Sequence, residues 1–468
     1  MSYSREDIQN IFLKQKEYFN SGITLDYKFR KAQLIKLKNM ILVHEKELLD
    51  ALHKDLGRSD DESCLCDTRP TIMEINEYIS GLRKWSKPDT HFSGLHAFPS
   101  IFTKVYKIPY GVSLIISPFN FPILLSLGVL AAAITGGNTA MIKASSKSKE
   151  TTIVMKKIIQ ETFPEEYITL IDGGHDVADY CLEQPVDKIF YTGSPNVGKH
   201  VMEMASKNLV PVTLELGGET GNWCIVRKDA NLRDAARKIA FFKILNSGQI
   251  CININQVAVA SEVADKFILE LKNEITRQIG EKAYKNQEYP KLINEGAYKK
   301  IASEAEQYRD RIVFGGEGDE SSCKYSPTII YPVDINEQIV KHEIFGPLLP
   351  IVKFNDNEVD KLLDIIASRE HGLAFYIFTK NKKWAKHVMK TQQYGGGCIN
   401  EVCIHLMVKG VPFNGTGHSG MGAYHGIWGF REFTHPSTVL FGKSHFNLSL
   451  REHPYTQKKK KLMGKFLK

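Results

Sequence analysis

Three residues in this chain have the type and placement for covalent chemistry. Cys251 lies in Asn246-Ser247-Gly248-Gln249-Ile250-Cys251, between a long helical pattern and an apolar strand. A thiol on a glycine-hinged loop can reach a ligand in a cleft, and its thiolate is a strong nucleophile. Thirty-six residues upstream, Val212-Thr213-Leu214-Glu215-Leu216-Gly217-Gly218 puts a carboxylate inside an apolar strand. Val212, Leu214 and Leu216 share one strand face, while Thr213 and Glu215 share the other. Both faces of a parallel sheet are normally buried. A buried Glu215 should carry a raised pKa, which suits a general base near neutral pH. Asn120 follows an apolar strand in Ser117-Pro118-Phe119-Asn120-Phe121-Pro122. Its amide, on a loop held between two prolines, can donate to a developing oxyanion. Each residue alone has a plainer reading. Cys251 can be a small buried hydrophobe, Glu215 a hydrogen-bonded structural carboxylate, and Asn120 the cap of its own turn.

The elements that must position these groups are α/β in character. Residues 5–55 and 71–86 have helical apolar spacing, and 88–110, with Pro88, Pro99 and Pro109, reads as a connector with edge-strand character. From residue 111, strands at 112–116, 139–142, 167–171, 186–191 and 212–216 alternate with helices at 123–134, 149–162 and 197–208. That alternation predicts a doubly wound parallel sheet. A second series has strands at 222–226, 255–260, 352–354 and 375–378 and helices at 231–245 and 263–278. Two α/β units in succession imply a cleft between them. Asp229 or Asn231 is the candidate cap of helix 231–245. Residues 437–449 contain strand-like pieces with no evident partner.

Two glycine motifs resemble phosphate loops. Gly193-Ser194-Pro195-Asn196-Val197-Gly198-Lys199-His200 follows a strand and opens a helix, but His200 occupies the position of the magnesium-binding Ser or Thr. What survives is a glycine turn at a helix N-terminus, a seat for a pyrophosphate. Gly415-Thr416-Gly417-His418-Ser419-Gly420 matches a dinucleotide fingerprint by letter, but no clear strand precedes it. It reads as a structured loop near the cleft.

Composition narrows the class further. The 468 residues are 43% hydrophobic and 24% charged, with a net charge of +8. These are values of a soluble globular chain with room for two or three domains. Part of the excess charge is the run Lys458 to Lys461, with Lys465 and Lys468. A solvated tail is the main reading, with contact to an acidic surface the lesser one. The first residues carry no apolar signal segment. The apolar stretch 111–134 is broken by Pro118, Asn120 and Pro122, so it is too short to span a bilayer. The eight cysteines form no C-x-x-C pair and no zinc spacing with histidine. No metal site and a reducing, cytoplasmic setting are expected.

Taken in order, Ser117–Pro122, Gly136–Lys143, Tyr191–Gly198, Leu214–Gly218, Asn246–Cys251, Glu343–Pro347 and Pro412–Gly426 resemble the motifs of the aldehyde dehydrogenase superfamily. The likeness is greatest to its class 3 branch, which handles fatty and aromatic aldehydes. The resemblance implies a Rossmann-like cofactor domain, a second α/β catalytic domain and a small bridging strand element. The corresponding ranges are 1–88 with 108–215, 216–411, and 89–107 with 430–450, followed by a basic tail at 451–468. It implies Cys251 as nucleophile, Glu215 as the base that activates water, and Asn120 with the Cys251 N–H as oxyanion donors. Lys143 and Ser146 would lie at the adenosine ribose, and Gly193 and Ser194 at the pyrophosphate. Glu343 would hold the nicotinamide ribose, with Phe345 beside it, and Asn400 would lie near the site. The implied cofactor is NAD or NADP, the substrate a small aldehyde, and the assembly a homodimer without nucleic acid. Phe119 replaces a usual Trp, Asn414 a glycine, and Ser146 a usual Glu. The last change removes a charge that would repel a 2′-phosphate, so NADP should be tolerated. The segment Glu219–Ile225 is about two residues longer than the pattern. The alternatives are a CoA-linked acyl reductase using the same cysteine and a catalytically silent binding protein.

Overall fold

In the computed structural model, the alternation of strand and helix resolves into two mainly parallel sheets, with two small antiparallel sheets of three and two strands. The structure describes residues 3–94, 97, 100–446 and 448–466. Pro99 and Lys468 of the predicted connector and tail, the first two residues, and Asn447 in the range of strand-like pieces lie outside the described residues.

Helices α1 (Arg5–Asn20), α2 (Tyr27–Val43), α3 (Glu45–Leu56) and α4 (Arg69–Trp85) form the N-terminal layer. Ser4 starts α1 with a capping box. Its hydroxyl accepts from the Asp7 N–H at 3.1 Å, and the Asp7 carboxylate accepts from the Ser4 N–H at 2.8 Å. The connector holds β1 (Asp89–Phe92) and β2 (Phe102–Pro109). Next come β3 (Val112–Ile116), α5 (Val129–Gly136), β4 (Thr139–Lys143), α6 (Lys149–Thr162) and β5 (Ile168–Ile171). They are followed by α7 (His175–Leu182), β6 (Lys188–Gly193), α8 (Pro195–Ser206) and β7 (Val212–Leu216). Every residue of α5 is buried, as its uniformly apolar sequence requires. The cap of α6 is tertiary: Asp55 of α3 accepts from the Glu150 and Thr151 N–H groups at 3.1 and 2.8 Å.

These strands lie side by side in the order β5, β4, β3, β6, β7, all parallel. The order reverses between β3 and β6. A doubly wound sheet opens a crevice at the carboxyl ends of the strands flanking that reversal. The loop with Asn120 leaves β3 there, and Gly193 ends β6 there.

The second sheet is built from β8 (Asn222–Val226), β9 (Ile254–Ala260), β10 (Ile312–Phe314), β11 (Thr328–Val333), β12 (Leu348–Phe354), β13 (Ala374–Phe378) and β14 (Gly396–Ile399). Their order is β10, β11, β12, β9, β8, β13, β14, with β10 alone antiparallel to its neighbour. Helices α9 (Leu232–Ile244), α10 (Ala264–Ile279), α11 (Glu295–Glu306), α12 (Val359–Ala367) and α13 (Lys382–Thr391) accompany it. Of the two candidate caps of α9, Asn231 does the capping, accepting from the Asp234 N–H at 3.3 Å. Asp229 instead takes the Lys380 and Asn381 N–H groups and the Thr379 hydroxyl. Sequence periodicity did not reveal α11, β10 and β11, because 280–347 mixes three- to six-residue strands with polar turns.

The chain then returns to the first sheet. Strand β15 (Gly420–Met421) pairs antiparallel with β7, placing Gly420 opposite Glu215. Helix α14 (Gly426–Glu432) leads to β16 (Thr434–Leu440), the strand for which the sequence offered no partner. It pairs with β2 from Thr434↔Pro109 to Leu440↔Thr103. The strand-like pieces after Leu440 are not strand among the described residues. The lysine run lies on α15 (Gln457–Phe466). No helix among the described residues is long and apolar enough to cross a membrane.

Candidate active site

Helix α9 ends where the chain enters the left-handed region at three successive residues: Asn246 (φ 51°), Ser247 (φ 50°) and Gly248 (φ 74°). Two of these carry side chains, so the turn is strained and must be held by its surroundings. Asn246 donates to the Asn120 and Gln249 carbonyls at 3.1 and 3.0 Å and accepts from Arg58 Nε at 2.9 Å. Its N–H reaches Glu62 at 2.8 Å. Gln249 spans the loop, bonding the Asn246 and Lys291 carbonyls and accepting from the Ile293 N–H. Gly248 has no room for a side chain, since a Cβ there would stand 2.3 Å from the Gly346 carbonyl oxygen. The loop ends at half-buried Cys251, whose carbonyl accepts from the Asn222 amide at 2.8 Å.

Asn120 is buried, and its amide donates to the Gln249 carbonyl at 3.1 Å. The β3 loop and the Cys251 loop are therefore one hydrogen-bonded unit. Two carboxylates face the thiol. Glu215 is almost wholly buried, and neither of its oxygens has a hydrogen-bond partner. Burial, then the Glu432 carboxylate, pushes its pKa well above the usual range. Glu343 is part-exposed, but its Oε1 is shielded and unpartnered. Burial pushes its pKa up to about 7, opposed by Lys300 and His342. Burial raises the Cys251 thiol to about 12, helped by Glu343 and Glu215. The resting site thus holds a protonated thiol next to acids that resist ionisation. Buried unsatisfied oxygens cost stability, and their persistence is what a site awaiting ligand hydroxyls or water looks like.

Residues 2–439 match the family model described as the aldehyde dehydrogenase family. The chain belongs to the aldehyde dehydrogenase family. It is 36% identical over 461 residues to 4,4′-diaponeurosporen-aldehyde dehydrogenase of Staphylococcus aureus, covering 98% of this chain and 99% of that one. It is 32% identical over 464 residues to aldehyde dehydrogenase family 3 member H1 of Arabidopsis thaliana, covering 98% and 95%. The substrate-bound structure of Staphylococcus aureus AldH superposes with a TM-score of 0.95 at 35% identity, covering 98% of this chain and 99% of that one. The activity of this aldehyde dehydrogenase is the NAD(P)-dependent oxidation of an aldehyde.

The residues of this aldehyde dehydrogenase fit a dinucleotide at the reversal crevice. Helix α8 points its N-terminus there, and its cap residue Ser194 makes no side-chain cap bond, leaving N–H groups free for an anion. Lys143 is buried at the end of β4 and donates to the Ala144 and Gly173 carbonyls, both at 2.8 Å. Burial lowers its pKa. Ser146 is exposed two residues beyond Ala144. The orphaned Glu343 oxygen faces Gly217, where a Cβ would stand 2.0 Å away, so only glycine admits the carboxylate. Phe345 meets Phe119 edge-on with ring centroids 5.8 Å apart, and Lys147 lies over the Phe119 ring. Asn400 does not reach toward the thiol: its amide is spent on the Thr379 backbone, at 2.9 Å in both directions.

Both glycine motifs find their uses. In the first, Lys199 pairs with Glu219 at 3.0 Å and His200 with Asp179 at 2.8 Å, so neither serves a triphosphate. In the second, Gly420 lets β15 close on β7, since a Cβ would stand 2.1 Å from the Leu214 carbonyl oxygen.

Sequence reasoning missed Arg58 and Tyr424. Arg58 is fully buried, pairs with buried Asp67 at 3.2 Å, and also donates to the Asn120 carbonyl. Asp67 in turn accepts from the Leu124 N–H at 2.7 Å. One guanidinium thus joins the loops of Asn120 and Asn246, from positions 62 and 188 residues away. Its position after α3 looks like an ordinary helix end, so no local signal exists. Arg58→Ala should cost about 3–5 kcal/mol, because Asp67 is left buried and unpaired. Urea unfolding of the variant checks this, and a midpoint equal to wild type would disprove it. Tyr424 is buried beside Glu215, Glu74 and Cys251, which together with burial push its hydroxyl well up. Its neighbour His425 contacts Glu74 at 2.9 Å, and Glu74 accepts from Tyr78 at 2.9 Å.

Proposed function

We propose that Cys251 attacks the aldehyde carbon and carries the acyl group between oxidation and hydrolysis. The observation that carries this reading is the convergence on one thiol of an unpartnered buried carboxylate, Glu215, and a loop bonded to Asn120. The thiol gives its proton to solvent water, and the sulfur bonds to the carbonyl carbon. The new oxyanion accepts from the Asn120 amide and the Cys251 N–H, and its collapse expels hydride and leaves a thioester. When bound, the oxidised nicotinamide supplies the two-electron acceptor for that hydride. Glu215 takes a proton from water, whose oxygen adds to the thioester carbon, and the acid departs as the thiol is regenerated. Glu343 would bond the nicotinamide ribose with Phe345 packed beside it. Lys143 and Ser146 would contact the adenosine ribose, and Gly193 and Ser194 the pyrophosphate.

The same reading gives 1–88 with 108–215 to the cofactor domain and 216–411 to the catalytic domain, supported by the strand content of the two sheets. Absence of a carboxylate at Ser146, with Lys147 and Lys149 nearby, favours tolerance of NADP. Turnover with NADP should be close to that with NAD. A preference for NAD above about a hundredfold, or ~2.7 kcal/mol, would reject this.

The substrate is an apolar aldehyde, as in the class 3 branch, of which Arabidopsis thaliana member H1 is one named relative. A surface recess beside His425 has an apolar wall of Met73, Leu124, Leu406, Met407 and Val408, with Glu74, Glu77 and Lys409 also lining it. At about 0.8 kcal/mol per buried CH2, kcat/KM should climb with each carbon added to a straight-chain aldehyde until the recess is filled. A flat profile across chain lengths would reject an apolar substrate. A homodimer is supported by the edge of β16, unpaired among the described residues, and by exposed Phe92, Phe102, Leu440 and Phe441 on and beside that small sheet. The tail needs no membrane in this reading. A cytoplasmic setting is supported by eight cysteines, none paired.

A further inference from the structure

The segment that carries Glu343 is pinned from three sides. The Ile344 carbonyl accepts from the Asn255 amide at 3.1 Å, and the Gly346 carbonyl accepts from buried Lys243 at 3.1 Å. The third pin is His342. Its Nε2 lies 2.7 Å from Glu304 Oε1 on α11, and its Nδ1 lies 3.0 Å from the Gln338 carbonyl oxygen. The Glu304 contact is a close ion pair, not an aligned hydrogen bond. Both ring nitrogens therefore face acceptors. A neutral imidazole carries one N–H and would turn a lone pair toward the other oxygen. Only the imidazolium satisfies both contacts. Glu304 is largely buried, so the charge it meets is only weakly screened.

We infer that His342 is a positioning residue for the cofactor: as an imidazolium it latches the Glu343–Pro347 segment onto α11, and cofactor affinity falls when that ring loses its proton. The inference rests on the reading of Glu343 as the ribose carboxylate. The charged groups facing the ring are Glu304 and Lys300 from α11, with Lys341 and Glu343 adjacent in the chain. The close Glu304 carboxylate outweighs burial and Lys300, so the histidine pKa is raised. The latch is then complete at pH below the ordinary histidine value and is lost as pH rises through the raised one. The ring has a second effect in the same direction, because its positive charge helps keep Glu343 ionised.

Two measurements test this, one of them without cofactor. In the free enzyme, NMR titration of the His342 ring should show a pKa above the ordinary histidine value, falling back in Glu304→Gln. Fluorescence titration with reduced cofactor should then show the wild-type Kd weakening about three- to tenfold across that same pH range, the scale of one charge-assisted contact. His342→Gln should lose that weakening, starting from a weaker Kd at low pH and showing only the gain in affinity as Glu343 ionises with rising pH. A His342 ring that titrates normally, or a His342→Gln variant that keeps the wild-type step, overturns the inference. Glu343→Gln separates the two readings. If it leaves Kd unchanged, the ribose role itself falls and the latch has nothing to position. If it weakens Kd while His342→Gln does not, the latch alone is wrong.

Discussion

Replacing Cys251 by alanine is expected to abolish production of reduced cofactor, by about 10⁵-fold or more, as when a covalent nucleophile is removed. No neighbouring group can substitute. Cys403 is buried and contacts Tyr376 and the Ile252 carbonyl, and burial pushes its thiol well above the usual range. Stopped-flow absorbance at 340 nm checks the result within one turnover. Cofactor reduction at more than a few per cent of the wild-type burst would remove Cys251 from the mechanism. Serine should not rescue activity, because an alcohol in the same buried pocket ionises even less readily. The thiol pKa of about 12 adds a second expectation. Alkylation of the free enzyme by iodoacetamide should be slow at neutral pH and accelerate with rising pH. Fast labelling at pH 7 without cofactor would contradict the protonated resting state.

Glu215→Gln should separate the two halves of the reaction. Hydride transfer needs the nucleophile and the oxyanion donors, so a burst of one reduced cofactor per site should survive. Water attack needs the base, so steady turnover should fall by about 10²–10⁴-fold. The sign with pH follows from the environment of the carboxylate. Burial and Glu432 hold Glu215 protonated beyond the usual carboxylate range. Its basic form is therefore scarce at low pH and grows as pH rises, so wild-type deacylation should rise with pH. The variant should lose that limb. Wild-type steady-state rates in Glu215→Gln would assign water activation elsewhere, with Glu343, the other carboxylate facing the thiol, the next candidate.

Much of this was legible in the chain because local rules carry it. The strand at 212–216 alternates Thr213 and Glu215 against Leu214 and Leu216, and a period of two fixes which face each side chain takes. The turn at Asn246-Ser247-Gly248 ends α9 because Gly248 adopts a positive φ at low cost. The near P-loop at Gly193 is rejected by His200 alone. Other features had no local signal. The Asp55 cap of α6 and the Arg58–Asp67 pair join groups far apart in the chain, and nothing in either neighbourhood marks the other. Strand β16 has ordinary strand character, but its partner β2 lies more than three hundred residues earlier.

By itself, the sequence determined the fold class, the order of the strands in the first sheet along the chain and the residue types able to act as nucleophile, base and oxyanion donor. Those follow from periodicity and from the chemistry of single side chains. The tertiary structure alone decided that Asn120 is tied to the Cys251 loop through Gln249, that Glu215 is left without a partner, and that the segment carrying His342 and Glu343 is pinned to Glu304 of α11. The reason is physical. Burial and charge proximity depend on which strands lie side by side, and those neighbours are set by packing across the whole chain.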